Sequence, residues 1–167
     1  MELKEYLNTH DKKILHLGCS GTCPEGHFGI DIEDLHGVDL VWDLNNGIPA
    51  EDRVFDEVIA KDVLEHIPQG KPCIHIMEEI YRVLVPGGVA HIEVPSTDGG
   101  GIGAFGHPYH VSWWSKTTLK YYLDDAYTNG WRSTIGVKCF FKPEVLVTYF
   151  NQYDMAYVKA VLSKPKD

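Results

Sequence analysis

The sequence predicts an α/β fold, a doubly wound parallel sheet with a ligand crevice at the carboxyl ends of its strands. Two observations support this fold class. Short apolar runs that end in small or acidic residues recur along the first hundred residues, and an amphipathic helix precedes the last of them. A length of 167 residues is most economically explained by a single domain over residues 1–167.

The predicted fold is organised around the turn that follows its first strand. The apolar run 14–17 breaks into the small residues of segment 18–22, where a ligand can lie directly against the backbone. A second strand, 28–31, ends in Asp31, whose carboxylate suits a pair of ribose hydroxyls. Only about a dozen residues separate these strands, so the first crossover is too short for a full helix.

The next elements continue the alternating pattern. Residues 38–43 and 55–60 are predicted strands, and the helix between Pro72 and Leu84 is followed by a strand over 89–95. Pro72 suits the first turn of that helix. The buried face of the helix is predicted to carry Ile76, Met77, Ile80 and Leu84.

The second half of the chain is less regular. Five glycines in segment 96–106 predict a mobile loop without regular structure, in the position of a lid. Ser115 is a suitable N-cap for a helix with Leu119, Tyr122, Leu123 and Ala126 on its inner face. Two β-rich stretches, 135–141 and 156–162, are expected to complete the sheet, joined by the connection 143–154.

Composition limits the functional classes. A formal net charge of -9 and a pI near 5.4 argue against a nucleic-acid partner, because phosphate binding depends on Lys and Arg. No apolar run approaches the roughly 20 residues of a membrane span, and the N-terminus lacks a signal-peptide pattern, so no membrane partner and a cytoplasmic location are expected. The four cysteines are interpreted as reduced, small hydrophobic residues.

Several segments in this order resemble the class I S-adenosylmethionine-dependent methyltransferases, specifically small, single-domain members of the methyltransferase type 11 kind. The matching parts are 17–21, 55–59, 64–67 and, most specifically, the helix and turn 79–88. The resemblance covers roughly residues 13–95. It implies a Rossmann-like sheet of seven strands in the order 3-2-1-4-5-7-6, with strand 7 antiparallel.

The resemblance also implies a set of cofactor-binding residues. The turn after the first strand would border the methionine half of the cofactor, Asp31 with Ile32 would meet the ribose, and Asp43 with Leu44 would lie against the adenine. Lys61 and Asp62 would line the sulfonium side. The complete cofactor-binding set is Gly18, Cys19, Ser20, Gly21, Asp31, Ile32, Asp43, Leu44, Lys61 and Asp62. S-adenosylmethionine is thus the expected cofactor and S-adenosylhomocysteine the product.

Catalytic candidates follow the fifth strand, where this family usually builds its acceptor pocket. His107 and His110 are suited to take a proton from a hydroxyl, because histidine titrates near neutral pH. Tyr109, Trp113 and Trp114 are candidates for aromatic faces beside the positive sulfonium. The alternatives are that the two tryptophans belong to the core and that His110 caps the following helix.

Three functions remain open at this point. The first is a methyltransferase acting on an oxygen or nitrogen atom of a small molecule or sugar. The second is a non-catalytic nucleoside-binding or S-adenosylmethionine-binding module, which His16 and Ser20 favour because they depart from the family pattern. The third, a metal-dependent hydrolase, requires His66, His107 and His110 to converge; no residue is assigned to a metal. The open site suggests completion by a second subunit of a homo-oligomer, or closure over substrate.

Overall fold

The computed structural model describes residues 1–124 and 129–166. Within these ranges the chain forms one seven-stranded sheet with short helices around it. The strands are β1 (Ile14–Leu17), β2 (His27–Asp31), β3 (Leu40–Val41), β4 (Phe55–Lys61), β5 (Leu84–Pro95), β6 (Lys142–Phe150) and β7 (Ala156–Ser163). The helices are α1 (Leu3–Thr9), α2 (Lys71–Val83), α3 (Ile102–Gly106), α4 (Lys116–Lys120) and α5 (Asn129–Ile135).

The strand order is β3-β2-β1-β4-β5-β7-β6, which confirms the predicted topology. Strands β1 to β5 pair in parallel, whereas β7 pairs antiparallel with both β5 and β6. The chain crosses from one side of β1 to the other between β3 and β4. Such a reversal opens a crevice outside the carboxyl ends of the strands, and the site described below lies there.

Helix α2 forms where the periodicity predicts it. Pro72 occupies its first turn, and the inner positions Ile76, Met77 and Ile80 are fully buried against the sheet. The helix ends one residue earlier than predicted, because Leu84 is already extended and pairs with Phe55 of β4. The abbreviated first crossover is also confirmed, since no helix lies between β1 and β2 in this described part of the chain.

Two predictions for the second half of the chain are wrong. Segment 96–106 contains the five-residue helix α3, whose Ala104 is buried, although five glycines argued against any regular element. The strand predicted over 135–141 lies instead at 142–150, because residues up to Ile135 are helical. Pro143 is tolerated in β6 because this strand forms the edge of the sheet and pairs only with β7.

The remaining outer elements agree with the sequence in kind but not in length. The predicted third strand shrinks to Leu40–Val41, although backbone bonds from Asp39 N–H to Gly29 O and from Trp42 N–H to Asp31 O continue its pairing with β2. Ser115 caps α4 as predicted by accepting from Thr118 N–H. Ala126, predicted on the inner face of that helix, lies outside the described residues.

Among residues 1–124 and 129–166, no helix is both long and apolar enough to cross a membrane. All four cysteines are free thiols, and three of them are buried, in agreement with the sequence interpretation.

Replacing Ile80 by alanine tests the packing of α2 on the sheet. Ile80→Ala removes a fully buried side chain and is expected to lower the free energy of unfolding by about 2–5 kcal/mol in urea titrations. Lys71→Ala, at an exposed position of the same helix, is the control and should change it by less than about 0.5 kcal/mol. Equal effects of the two changes would contradict the packing described here.

Candidate functional site

A cavity of about 550 Å³ opens at the carboxyl ends of β1, β2 and β4, a volume suited to a nucleoside-sized ligand. The turn after each of these strands contributes to its wall. It is lined by Gly18, Ser20, Asp31, Ile32, Glu33, Leu35, Trp42, Asp43, Leu44, Asn45, Asp62, Val63, His66, Ile67, His107 and Tyr109. We call it the nucleoside cavity.

The turn after β1 brings bare backbone to the cavity wall. Gly18 has φ +64°, and a Cβ at this position would lie 2.5 Å from a methyl carbon of Val63. Ser20 also adopts the left-handed region, with φ 47°. A side chain at position 18 would therefore be both strained and obstructed, which explains why glycine is required there.

The carboxylate of Asp31 lies at the tip of β2 and is only 8% exposed. Its Oδ2 accepts from the Ser20 N–H at 2.9 Å and its Oδ1 from the Glu33 N–H at 3.0 Å. Because a carboxylate oxygen can accept two hydrogen bonds, both oxygens retain capacity for a ligand. The carboxylate is thus fixed in position at the point where two ribose hydroxyls can meet it.

The far wall of the nucleoside cavity is mainly apolar. Trp42 and Leu44 flank it, and the Trp42 ring is oriented by its Nε1–H, which donates to Gly47 O at 2.9 Å. Asp43 lies between them and caps a short 3-10 turn by accepting from Asn45 N–H. This combination of a flat apolar surface and an adjacent acceptor suits a purine ring with an exocyclic amine.

Seven of the ten predicted cofactor-binding residues line the cavity, and three do not. Cys19 and Gly21 belong to the turn itself without reaching the lumen, and the Cys19 thiol lies over Gly29. Lys61 is directed elsewhere, because its Nζ pairs with Glu93 of β5 at 2.9 Å. The structure therefore brings Asp31, Asp43 and Asp62 to one cavity, whereas Lys61, the last residue of β4, is paired with β5.

His16 also lies away from the cavity. Its ring centroid is 5.9 Å from that of His27, and its buried Nδ1 has no hydrogen-bond partner among the described residues. Burial lowers the pKa of His16, and the nearby His27 lowers it further. His16 is thus a neutral packing residue of the central strand.

A second cavity, of about 510 Å³, adjoins the first beside β5 and β7. The two share Asp62, His66 and His107, which therefore stand at the boundary between them. The second cavity is lined by these three residues and by Glu65, Pro95, Ile102, Gly103, Gly106, His110, Met155 and Tyr157. We call it the histidine cavity.

Three histidines converge at this boundary. The ring of His110 stacks on that of His107 with centroids 4.6 Å apart and meets the ring of His66 edge-on at 5.2 Å. The Nδ1 atom of His110 lies 2.9 Å from Ala104 O, and that of His66 lies 3.1 Å from Tyr109 O. Because a carbonyl oxygen only accepts, each Nδ1 carries a proton, and in the neutral form of each ring Nε2 holds the lone pair.

The neutral state of His110 has identifiable causes. Burial lowers the pKa of its ring most strongly, and the adjacent His107 and His66 lower it further, against the opposing effect of its bond to Ala104. His107 is exposed, and its Nδ1 accepts weakly from Tyr109 N–H at 3.4 Å. The two predicted catalytic histidines are thus adjacent, with His110 the more buried.

Two carboxyl groups lie beside these histidines. Glu65 is 2% exposed, and burial raises its pKa to about 8, with a partly offsetting bond from its own backbone N–H and a smaller increase from Asp62. Burial also raises the pKa of Asp62, which the Tyr157 hydroxyl counters by hydrogen bonding. Asp62, which follows β4, is thereby hydrogen-bonded to a residue of β7.

Sequence reasoning missed the contributions of Glu65, Met155 and Tyr157 to the site. Glu65 had a usable signal, because it follows a buried strand within a segment already recognised by its family pattern. Met155 and Tyr157 had none: they occur at the start of an ordinary apolar strand, and only the pairing of β7 with β5 brings them to the histidine cavity.

The aromatic residues after β5 divide between the site and the core. Tyr109 lines the nucleoside cavity, as expected. Trp114 instead is buried, with its Nε1–H donating to Ser112 Oγ. Trp113 packs on Phe105 of α3 at 4.8 Å and lines neither cavity.

Comparison with known proteins agrees with this fold. Residues 31–92 match the protein family described as "Methyltransferase domain". No curated protein matches the chain.

Solved structures resemble the whole chain at low sequence identity. A protein from Methanosarcina mazei described as a SAM-dependent methyltransferase aligns over 100% of this chain and 99% of its own, with 13% identity and a TM-score of 0.66. The N-methyltransferase NodS from Bradyrhizobium japonicum, in complex with S-adenosyl-L-homocysteine, aligns over 98% and 85%, with 14% identity and a TM-score of 0.62. A 16S rRNA adenine methyltransferase from Catenulisporales acidiphilia aligns over 98% and 90%, with 10% identity and a TM-score of 0.60.

Alanine substitutions at two glycines test the turn after β1. Gly18→Ala combines a left-handed φ with a steric clash against Val63. It should lower the free energy of unfolding by clearly more than the roughly 1–2 kcal/mol that the backbone conformation alone costs. Gly26→Ala is the matched control, because φ is +83° there but no atom lies within 4 Å of the added Cβ. Urea unfolding of both variants measures the difference; equal losses would contradict the close approach of Val63.

Proposed function

We propose that this chain, whose residues 31–92 match the methyltransferase-domain family and whose sheet has the strand order β3-β2-β1-β4-β5-β7-β6, is an S-adenosylmethionine-dependent methyltransferase. Its proposed substrate is an oxygen or nitrogen atom of a small molecule or sugar, and its proposed location is the cytoplasm. The observation that carries the proposal is the Asp31 carboxylate, buried and fixed by two backbone N–H groups at the edge of the nucleoside cavity. Bound S-adenosylmethionine would supply the activated methyl group.

The residues of the nucleoside cavity fit the cofactor part by part. Asp31 would accept from the ribose hydroxyls, and hydrogen bonds to a charged group contribute about 1.5–3 kcal/mol each. Trp42 and Leu44 offer an apolar surface to the adenine, with Asp43 beside it. The bare backbone at Gly18 leaves room for the amino-acid part, and Asp62 lies on the same side.

The histidine cavity would hold the methyl acceptor. It meets the nucleoside cavity at Asp62, His66 and His107, so a ligand in each would approach the other at this boundary. His110 presents a neutral Nε2 lone pair, the state that a general base requires. His107 stacks on that ring at the exposed side, where a proton can pass to solvent.

A small acceptor is favoured by charge and size. The net charge of -9 disfavours phosphate-rich partners, and the histidine cavity encloses about 510 Å³, enough for a sugar or a small aromatic compound. One structural neighbour acts on 16S rRNA, so a screen of acceptors should include a structured RNA beside hydroxyl and amine compounds.

Calorimetric titration with S-adenosylmethionine and S-adenosylhomocysteine tests the cofactor assignment. The unchanged protein should bind both, and Asp31→Ala should weaken binding at least about tenfold, because charged hydrogen bonds to the ribose are lost. Asp34→Ala, an exposed acid three residues further along the chain, should bind like the unchanged protein. Absence of binding to either compound in folded protein would overturn the proposal.

Turnover measurements test the base. His110→Ala should slow the release of S-adenosylhomocysteine by about 10²–10⁴-fold in the presence of an active acceptor, with cofactor binding unchanged. His75→Ala, an exposed histidine on α2, is the control. Undiminished turnover with His110→Ala would remove this residue from the mechanism, and cofactor binding without turnover on any acceptor would favour a non-catalytic binding module.

A further inference from the structure

We infer that the histidine cavity contains a binding site for a first-row divalent transition-metal ion, formed by Glu65, His66 and His110. One ligand atom from each residue lies within 4.8 Å of the other two, so small side-chain movements would bring all three onto a shared ion. The position of this site next to the methyl donor rests on the proposed function, whereas the donor geometry itself does not.

The first argument comes from His110 and Glu65. The Nδ1–H of His110 is committed to Ala104 O, so its Nε2 lone pair is directed towards Glu65 Oε1, 3.9 Å away. This separation is too long for a hydrogen bond. A cation that displaces the carboxyl proton of Glu65 can be shared by these two atoms, because nitrogen and carboxylate ligands lie about 2.0–2.2 Å from zinc.

The second argument is the unsatisfied oxygen of Glu65. Its Oε2 is inaccessible to solvent and has no hydrogen-bond partner in the described part of the chain. A buried carboxylate oxygen without a partner is costly, and a bound cation would offset that cost. The residue lies at the start of the segment after β4, in a short 3-10 turn whose geometry is fixed by Ser112 donating to Leu64 O.

The third argument is the orientation of His66. Its Nδ1–H donates a hydrogen bond to Tyr109 O, and this bond to a backbone carbonyl fixes the orientation of the ring. Nε2 is therefore the atom available to coordinate a metal ion. Metal-bound histidines commonly donate their other ring N–H to such an acceptor. His66 and His110 both show this arrangement, with the carbonyls of Tyr109 and Ala104 as the respective acceptors.

The donor set indicates the class of ion. Two neutral imidazoles and one carboxylate suit Zn²⁺, Co²⁺, Mn²⁺ or Fe²⁺, whereas Mg²⁺ and Ca²⁺ prefer all-oxygen surroundings. Three protein ligands leave a position open towards the cavity. An oxygen-bearing methyl acceptor can occupy it, and a metal ion lowers the pKa of a hydroxyl that it binds.

Metal binding and the base role of His110 use the same atom. The Nε2 lone pair holds either an ion or a proton. The metal-loaded protein would therefore acidify the acceptor hydroxyl through the ion, and the released proton would pass to solvent at the open side of the cavity. The metal-free protein retains His110 as the base. Measuring ion binding therefore distinguishes activation of the acceptor hydroxyl by a metal ion from its deprotonation by His110.

The experiment is titration of chelator-treated protein with Zn²⁺ and Co²⁺. We expect one saturable site per chain and, for Co²⁺, visible absorption bands that report nitrogen ligands. Glu65→Gln and His110→Ala should each weaken binding at least about tenfold and change the Co²⁺ spectrum. His75→Ala on α2 is the control and should bind the ion like the unchanged protein.

A parallel titration separates this inference from the proposed function. Asp31→Ala should lose S-adenosylmethionine binding but keep the Co²⁺ spectrum, whereas His110→Ala should do the reverse. Absence of a saturable site, or equal binding by the unchanged protein and both cavity variants, overturns the metal site. If cofactor binding persists in that case, the methyltransferase proposal stands without the ion.

Discussion

The position of β1 between β2 and β4 constrains every other part of the site. Its pairing continues past the strand end, where Gly18 N–H donates to Ile30 O at 2.8 Å, and then through the side chain of Asp31 to Ser20 N–H. The turn is therefore attached to β2 by both backbone and carboxylate. As a result, the acid that can meet a ribose also fixes the bare backbone beside it.

The same constraint separates the site into two chemically different halves. The nucleoside cavity lies where β1, β2 and β4 end, with a buried carboxylate and an apolar wall. The histidine cavity lies where β4, β5 and β7 meet, with three imidazole rings and the buried acid Glu65. Asp62, in a left-handed conformation after β4, belongs to both and is hydrogen-bonded to Tyr157 of β7. Methyl transfer requires this kind of adjacency, because donor and acceptor must be held in line.

The local sequence pattern was sufficient to predict the central strands and helix α2, but not the elements at the edge of the fold. Strands β1, β2 and β4 and helix α2 combine apolar periodicity with clear end signals, and the structure places them within a residue or two of prediction. The edge strand β6 has exposed side chains along much of its length, so it lacks the burial pattern that periodicity detects. In α3, packing of Ala104 outweighs the low helix propensity of its glycines.

The sequence by itself determined the fold class, the strand order implied by the family resemblance, and the position of Asp31 at the end of the second strand. These features depend on residues close together in the chain, where spacing carries the information. Only the tertiary structure decided that Lys61 forms an ion pair with Glu93 and that Glu65 and His66 lie close to His110. This second contact brings the segment after β4 next to the segment after β5. Two strands that are neighbours in a parallel sheet bring their following segments to one edge, but side-chain direction and tautomer there are set by packing and backbone carbonyls, which no local pattern encodes.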